Sequence, residues 1–352
     1  MNRTEIFAGM RAKLPAELVP DVELEIKSAL VEEILQLKKE RNAIILAHNY
    51  MEPALYNSPI PDFRGDSLEL SRRAALTEKD VIVFCGVRFM AETAKILNPH
   101  KMVLLPSEKA GCSLASSITA KDVLQLKEEF PGVPVVSYVN TYADVKAESD
   151  VCCTSGNASA VVEWAAREFG TEKVIFLPDE YLASNVAKET GKRIIFPTKG
   201  KIRIDNSGLQ YEMVGWKGRC EVHEKFNVED IQNIRAQFPD VLVLAHPECS
   251  PEVIAEADFS GSTTAMIRYV EKIQGRRILL LTECSMGDNI VASLPHLSED
   301  MLRLCSVRCP HMNQITLEDT RNALLHNRYA IEIPEEIRVK AELSLKRMIA
   351  IG

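Results

Sequence analysis

VLQLKEEFPGVPVVSYVN at residues 123–140 and IQNIRAQFPDVLVLAHPE at 231–248 align without a gap at an offset of 108 residues. Each begins with apolar residues at helical spacing, breaks at Phe-Pro and continues as an aliphatic run, the pattern of an amphipathic helix, a turn and a buried strand. EILQLKKERNAIILAHNY at 33–50 follows the same plan with a different turn. Three strand ends therefore fall in equivalent positions. Helices alternating with strands predict parallel sheets covered on both faces, with ligands gathering beyond the carboxyl ends of the strands.

Two further apolar runs follow in each unit. One is VIVFCGVRFMAETAKIL (81–97), VCCTSGNASAVVEW (151–164) and DFSGSTTAMIRYV (258–270). The other is KMVLLPSEKAGC (101–112), KVIFLPDEYLASN (173–185) and RRILLLTECSMGDN (276–289). Small and hydroxyl residues between a strand and a helix leave backbone N–H groups free at the helix N-terminus, which favours anions there. A repeat of roughly 90–110 residues is too long for a solenoid and suggests triplication of a small domain. The expected fold is α/β, with three homologous αβα (Rossmann-like) domains around a pseudo-threefold axis and a central active-site cavity. Their expected spans are 20–117, completed by the C-terminal 326–352, then 118–223 and 224–325. Residues 51–66 are expected to lengthen the first unit. The glycine-rich 197–218 is expected to insert a β-hairpin peripheral to the chemistry. The C-terminal YAIEIPEEIRVKAELSLKRMIA is expected to form a short strand and a helix that packs back on the first unit.

A net charge of −8 without a run of lysines or arginines argues against nucleic acid and anionic membranes as partners. No stretch has the length and apolarity of a membrane span, so the expected setting is the cytoplasm and the expected ligand is small. Nine cysteines at irregular spacing argue for reduced thiols rather than a disulfide framework. Cys85, Cys152 and Cys153 lie inside apolar runs and read as core. Of the rest, one candidate follows the last strand of each unit: Cys112 in AGCSL, Cys220 in GRCEVH, and Cys305 or Cys309 in CSVRCPHM. Three thiols without a fourth do not make a closed structural zinc site, and they suit an iron–sulfur cubane with one iron left open. Cys-Pro at 309–310 favours Cys309. On spacing alone a cluster, zinc and unrelated thiols all remain open. The first strand of each unit ends in a polar pair at i, i+2 on one face: His48 and Tyr50, Tyr138 and Asn140, His246 and Glu248. Ser67, Ser155, Ser262 and Thr263 stand at turns before helices, and His223 follows Cys220 by three residues.

The motifs AHNY, GDSLELSR, GVRFMAETAKIL, SYVNT, CTSGNA, CEVHEKF, HPE, GSTTAMI and CPHM, spread in this order from about residue 33 to 315, resemble those of the quinolinate synthase family. The resemblance implies condensation of iminoaspartate with dihydroxyacetone phosphate to quinolinate, with loss of phosphate and two waters. It also implies a 4Fe-4S cluster on Cys112, Cys220 and Cys309 whose open iron acts as a Lewis acid, and a functional link to an aspartate-oxidising enzyme. Within it, Glu248 is the expected general acid/base, and His48, Tyr50 and His246 move protons or orient the triose. Tyr138 and Asn140 hold the dicarboxylate, Ser155, Ser262 and Thr263 grip phosphate or carboxylate oxygens, and Ser67 and His223 complete the substrate contacts. Two features depart from the family pattern. The 197–218 segment is longer than in many relatives, and Cys305 makes a C-x₃-C where some relatives have C-x-x-C-x-x-C. The alternative activity is another 4Fe-4S hydro-lyase acting on small carboxylates.

Overall fold

The aliphatic runs become the central strands of three parallel sheets in the computed structural model, which describes residues 1–197 and 210–352. The first sheet holds β1 (Ala43–His48), β2 (Phe63–Gly65), β3 (Val81–Cys85) and β4 (Met102–Leu104). The second holds β5 (Val135–Tyr138), β6 (Val151–Cys153), β7 (Val174–Leu177), β8 (Ile194–Ile195) and β9 (Met213–Gly215). The third holds β10 (Leu242–Ala245), β11 (Phe259–Ser260), β12 (Ile278–Leu281) and β13 (Met301–Arg303). Their orders are β2-β1-β3-β4, β6-β5-β7-β9-β8 and β11-β10-β12-β13. The same four-strand topology thus occurs three times, with one added edge strand in the second sheet. Helices cover both faces, which is why β7 and β12 read as unbroken VIFL and ILLL rather than as alternating patterns. The α/β fold of three Rossmann-like units is the expected one.

The alignment of runs within the repeat needs correction. Residues 81–85 match 174–177 and 278–281 as third strands, whereas 151–153 and 259–260 match Phe63–Gly65 in RGDSLEL. The second strands have three, three and two residues, too few for a hydropathic signature, so the longer run at 81–85 drew the alignment. Residues 51–66 are not an extension either. A short helix separates the first and second strands in every unit: Pro53–Tyr56, Ala143–Ala147 and Pro251–Glu256.

The hairpin expected in 197–218 falls partly on residues 198–209, outside the described residues. The flanking Met213–Gly215 is β9, which pairs in parallel with both β7 and β8. That part of the segment belongs to the sheet, so trimming all of 197–218 would delete a strand. At the C-terminus, Ala330 forms an antiparallel bridge to Leu104 of the first sheet, with Ile331 N–H donating to Val103 O at 2.9 Å. The helix Glu335–Ile351 then packs chiefly against the second unit, on the helix Ala143–Ala147 and on β6, and also touches the helix Arg88–Leu97 of the first. Ser344 Oγ donates to Lys146 O at 3.0 Å and Arg347 donates to Asp150 O at 2.6 Å. Among the described residues no helix is long and apolar enough to cross a membrane.

Candidate active site

The three cysteines share one backbone frame. The residue two before each accepts a hydrogen bond from the N–H that opens the helix after the third strand: Arg88 to Ala110 O at 2.7 Å, Glu180 to Gly218 O at 2.8 Å, and Cys284 to Val307 O at 3.0 Å. The carbonyls of Cys112, Cys220 and Cys309 in turn accept from Ser116, Glu224 and Asn313 at 3.0, 3.0 and 3.1 Å. A 3₁₀ turn follows each, at Ala115–Ser117, His223–Lys225 and Met312–Gln314. The next helix then starts at a capping box on Thr119, Asn227 or Thr316, closed by Asp122, Asp230 or Asp319. In sequence this is Cys, six residues, Thr or Asn, two residues, Asp. Cys305 has no such spacing, so the chain itself carries a signal that separates it from Cys309, beyond the Cys-Pro step. Cys305 is exposed, whereas Cys112, Cys220 and Cys309 line one cavity. Burial pushes the Cys112 thiol up to about 12 and Cys309 to about 11, and raises Cys220 well above its ordinary value.

Gly218 stands where the Cys220 loop crosses the second sheet. A Cβ there would lie 2.5 Å from Pro178 O and would clash with Ser117 Oγ. Gly218→Ala is therefore expected to destabilise the fold by roughly 1–3 kcal/mol through overpacking. Thermal unfolding is the check, and a parental midpoint would show that the loop absorbs the methyl group without strain.

The first-strand ends meet in the same cavity. His48 Nδ1 accepts from Tyr50 N–H at 3.2 Å and His246 Nδ1 accepts from Glu248 N–H at 3.3 Å. Each ring is thereby held with its proton on Nε2. Burial keeps both neutral, lowering His48 to about 4 and His246 to about 3. Glu248 Oε2 lies 2.6 Å from His223 Nδ1, and Oε1 accepts from Asn140 Nδ2 at 3.1 Å. Burial would raise the Glu248 carboxyl, but His223, His246 and Tyr138 outweigh it and hold it below the usual carboxylate range. His223 stacks on His246 with centroids 4.4 Å apart, and its Nε2 is 2.9 Å from Thr282 Oγ1. Thr282 Oγ1 is in turn 2.5 Å from the Tyr50 hydroxyl. A continuous chain runs Glu248–His223–Thr282–Tyr50. Thr282 is absent from the sequence-derived candidates because it ends a third strand, and comparing first-strand ends does not reach it. Its one legible signal is a single polar residue closing LLLT.

The hydroxyl groups at the second-strand ends divide between two spaces. Ser67, Ser155 and Thr263 line the central cavity. Ser262 instead lines the adjoining cleft; it caps the helix Thr263–Val270 and donates to Asp66 Oδ2 at 2.9 Å. Thr263 Oγ1 accepts from Asn49 Nδ2 at 2.8 Å, and Ser155 Oγ is 3.4 Å from His246 Nε2. Asn140 Oδ1 is a buried acceptor with no partner among the described residues. The cavity lining contains no lysine and no arginine among the described residues. The ligand atoms of Cys220, His223 and Glu248 also lie within 4.8 Å of one another, a donor set for a single metal ion. His223 Nδ1 already satisfies the carboxylate of that set.

A family model described as quinolinate synthetase A protein matches residues 32–350. The chain is 51% identical over 334 residues to quinolinate synthase 2 of Mesorhizobium japonicum, covering 95% of each chain. It is 48% identical over 331 residues to quinolinate synthase of Caulobacter vibrioides, covering 94% of this chain and 84% of that one. With quinolinate synthase of Agrobacterium fabrum it shares 49% identity over 336 residues, covering 96% and 90%.

Proposed function

Because the chain belongs to the quinolinate synthase family, we propose that its central cavity condenses iminoaspartate with dihydroxyacetone phosphate to quinolinate, releasing phosphate and two waters. The observation that carries this reading is the convergence of three similarly framed, half-buried cysteines on one cavity with the Glu248–His223 pair. Family membership implies an iron–sulfur cluster, and the donor set fits one. Half-buried thiols with raised pKa values and no lysine or arginine beside them in the cavity wall ionise more readily once a cation binds them. Cys112, Cys220 and Cys309 would hold a 4Fe-4S cluster, and three ligands leave one iron free. When bound, the cluster supplies a Lewis acid that makes substrate hydroxide a better leaving group.

The chain's own residues supply binding and proton transfer. Asn140 Oδ1, the unpaired acceptor, suits an imine N–H of the amino-acid-derived partner, and the Tyr138 hydroxyl suits one of its carboxylates. Ser67, Ser155 and Thr263 stand beside helix N-termini and suit phosphate or carboxylate oxygens. His48 and His246, neutral with Nε2–H outward, donate to the triose oxygens. Glu248 enters the reaction as a carboxylate and so takes protons from carbon or nitrogen, returning them through His223, Thr282 and Tyr50. Ser262 supports this region from the adjoining cleft by tying the helix Thr263–Val270 to Asp66. Iminoaspartate hydrolyses in water, so an aspartate-oxidising enzyme in the same compartment, the reducing cytoplasm, is the fitting supplier.

The test is the anaerobically purified protein given both substrates. Quinolinate with equimolar phosphate is the expected result. Dehydration of a small hydroxy-acid without any triose requirement would establish the hydro-lyase instead.

A further inference from the structure

Lys146 is completely buried and forms no ion pair among the described residues; its ammonium donates to Val139 O at 2.9 Å and to Thr141 O. An unpaired ammonium in a protein interior is costly, and backbone carbonyls offset only part of that cost. These two carbonyls bracket Asn140. The Nζ also lies 5.6 Å from the ring centroid of Phe89. Asn140 and Phe89 both line the central cavity, so the cation sits one layer behind its wall.

Two hydrogen bonds hold the helix that carries it. Ala143 N–H, at the start of the short helix that carries Lys146, donates to Glu92 Oε2 at 2.9 Å. Ser344 Oγ of the C-terminal helix donates to Lys146 O at 3.0 Å. Burial pulls the Lys146 pKa down, while Cys152, Glu92 and Asp144 pull it up.

We infer that Lys146 is a positioning residue for the dicarboxylate substrate, clamping the Val139–Thr141 turn so that Asn140 faces the ligand and supplying positive potential locally at that turn. The inference rests on the proposed reaction, whose substrates together carry two carboxylates and a phosphate into a cavity without one lining cation among the described residues. A trans peptide points its carbonyl and the following N–H in opposite directions. With Val139 O turned onto the ammonium, the Asn140 N–H is turned away from it, and it has no acceptor among the described residues. An ammonium on the carbonyl side polarises that peptide and strengthens the N–H as an anion donor. The charge thus acts through the turn, without touching the substrate.

Reconstituted holoenzyme titrated by calorimetry with quinolinate and, separately, with inorganic phosphate tests this. Lys146→Gln keeps a donor but loses the charge, and Lys146→Met loses both. The expected result is a quinolinate Kd raised by about 10–100-fold in both variants, a phosphate Kd within about threefold of the parent, and the parental folded signal by circular dichroism. If the unaltered enzyme binds no quinolinate, the reading of the cavity fails. If it does bind, and the variants match it, the role of Lys146 alone fails. Equal weakening of both probes, or loss of the folded state in both variants, makes Lys146 a structural element and overturns the inference.

Discussion

Cys309→Ala, purified and reconstituted under anaerobic conditions, will hold no stable 4Fe-4S cluster and will make no quinolinate, while Cys305→Ala will match the parent in both. The two thiols are four residues apart in one loop, so sequence distance does not separate them; the backbone frame does. Cys309 follows Val307, whose carbonyl is held by the Cys284 N–H, and its own Sγ accepts from Met312 N–H at 3.5 Å. Cys112 is held likewise, with Sγ accepting from Ala115 N–H at 3.5 Å, and the His223 N–H does the same for Cys220. Glu283 adds a bond particular to the third unit, accepting the Cys309 N–H at 3.4 Å as well as that of Ser285 at 2.7 Å. Cys305 is exposed and its thiol meets that of the buried Cys284, which belongs to the helix after β12 rather than to the cavity. Removing one of the three thiols leaves two to hold the cluster. Iron and sulfide content with the visible absorption of the cluster is the measurement. A loaded cluster in Cys309→Ala, or a missing one in Cys305→Ala, reverses the assignment.

Glu248→Gln is expected to lower kcat by about 10²–10⁴-fold with the cluster and the fold retained, the usual contribution of a positioned acid/base group. Glu248 is buried, yet each carboxylate oxygen has a donor: Asn140 Nδ2 on one, and on the other His223 Nδ1, whose ring continues to Thr282 and Tyr50. Glutamine keeps the length and one carbonyl oxygen, so Asn140 stays in place, but it cannot take a proton. It also presents an N–H₂ to His223 Nδ1, and so breaks the chain at its first link. Steady-state kinetics beside cluster spectroscopy separates the two roles. A variant that turns over within a few-fold of the parent would move the acid/base role to Tyr50 or His246, the other groups at equivalent strand ends.

Much of this could be read from the linear chain, because the features concerned are local and repeated. The helix–break–strand pattern at 33–50, 123–140 and 231–248 specified three parallel sheets, since periodicity and a turn, Phe-Pro in the last two, act over a few residues. The same repetition marked one cysteine per unit and the polar strand ends from His48 to Glu248. Other features were lost where the local signal was too short. The second strands at 63–65 and 259–260 exist through pairing with β1 and β10, not through their own composition, so their place in the repeat became visible only in the sheet. β9 reads as part of a polar insertion, yet its three residues are buried against β7. The C-terminal helix has apolar residues enough to pack on either neighbour, and Ser344 and Arg347 settle it on the second unit. Tertiary structure alone decided which groups share a hydrogen bond across units. Glu248 and His223, Ser155 and His246, and Tyr50 and Thr282 come from different strand ends and loops. Their meeting depends on how three sheets pack, and no residue in the chain encodes that packing by itself.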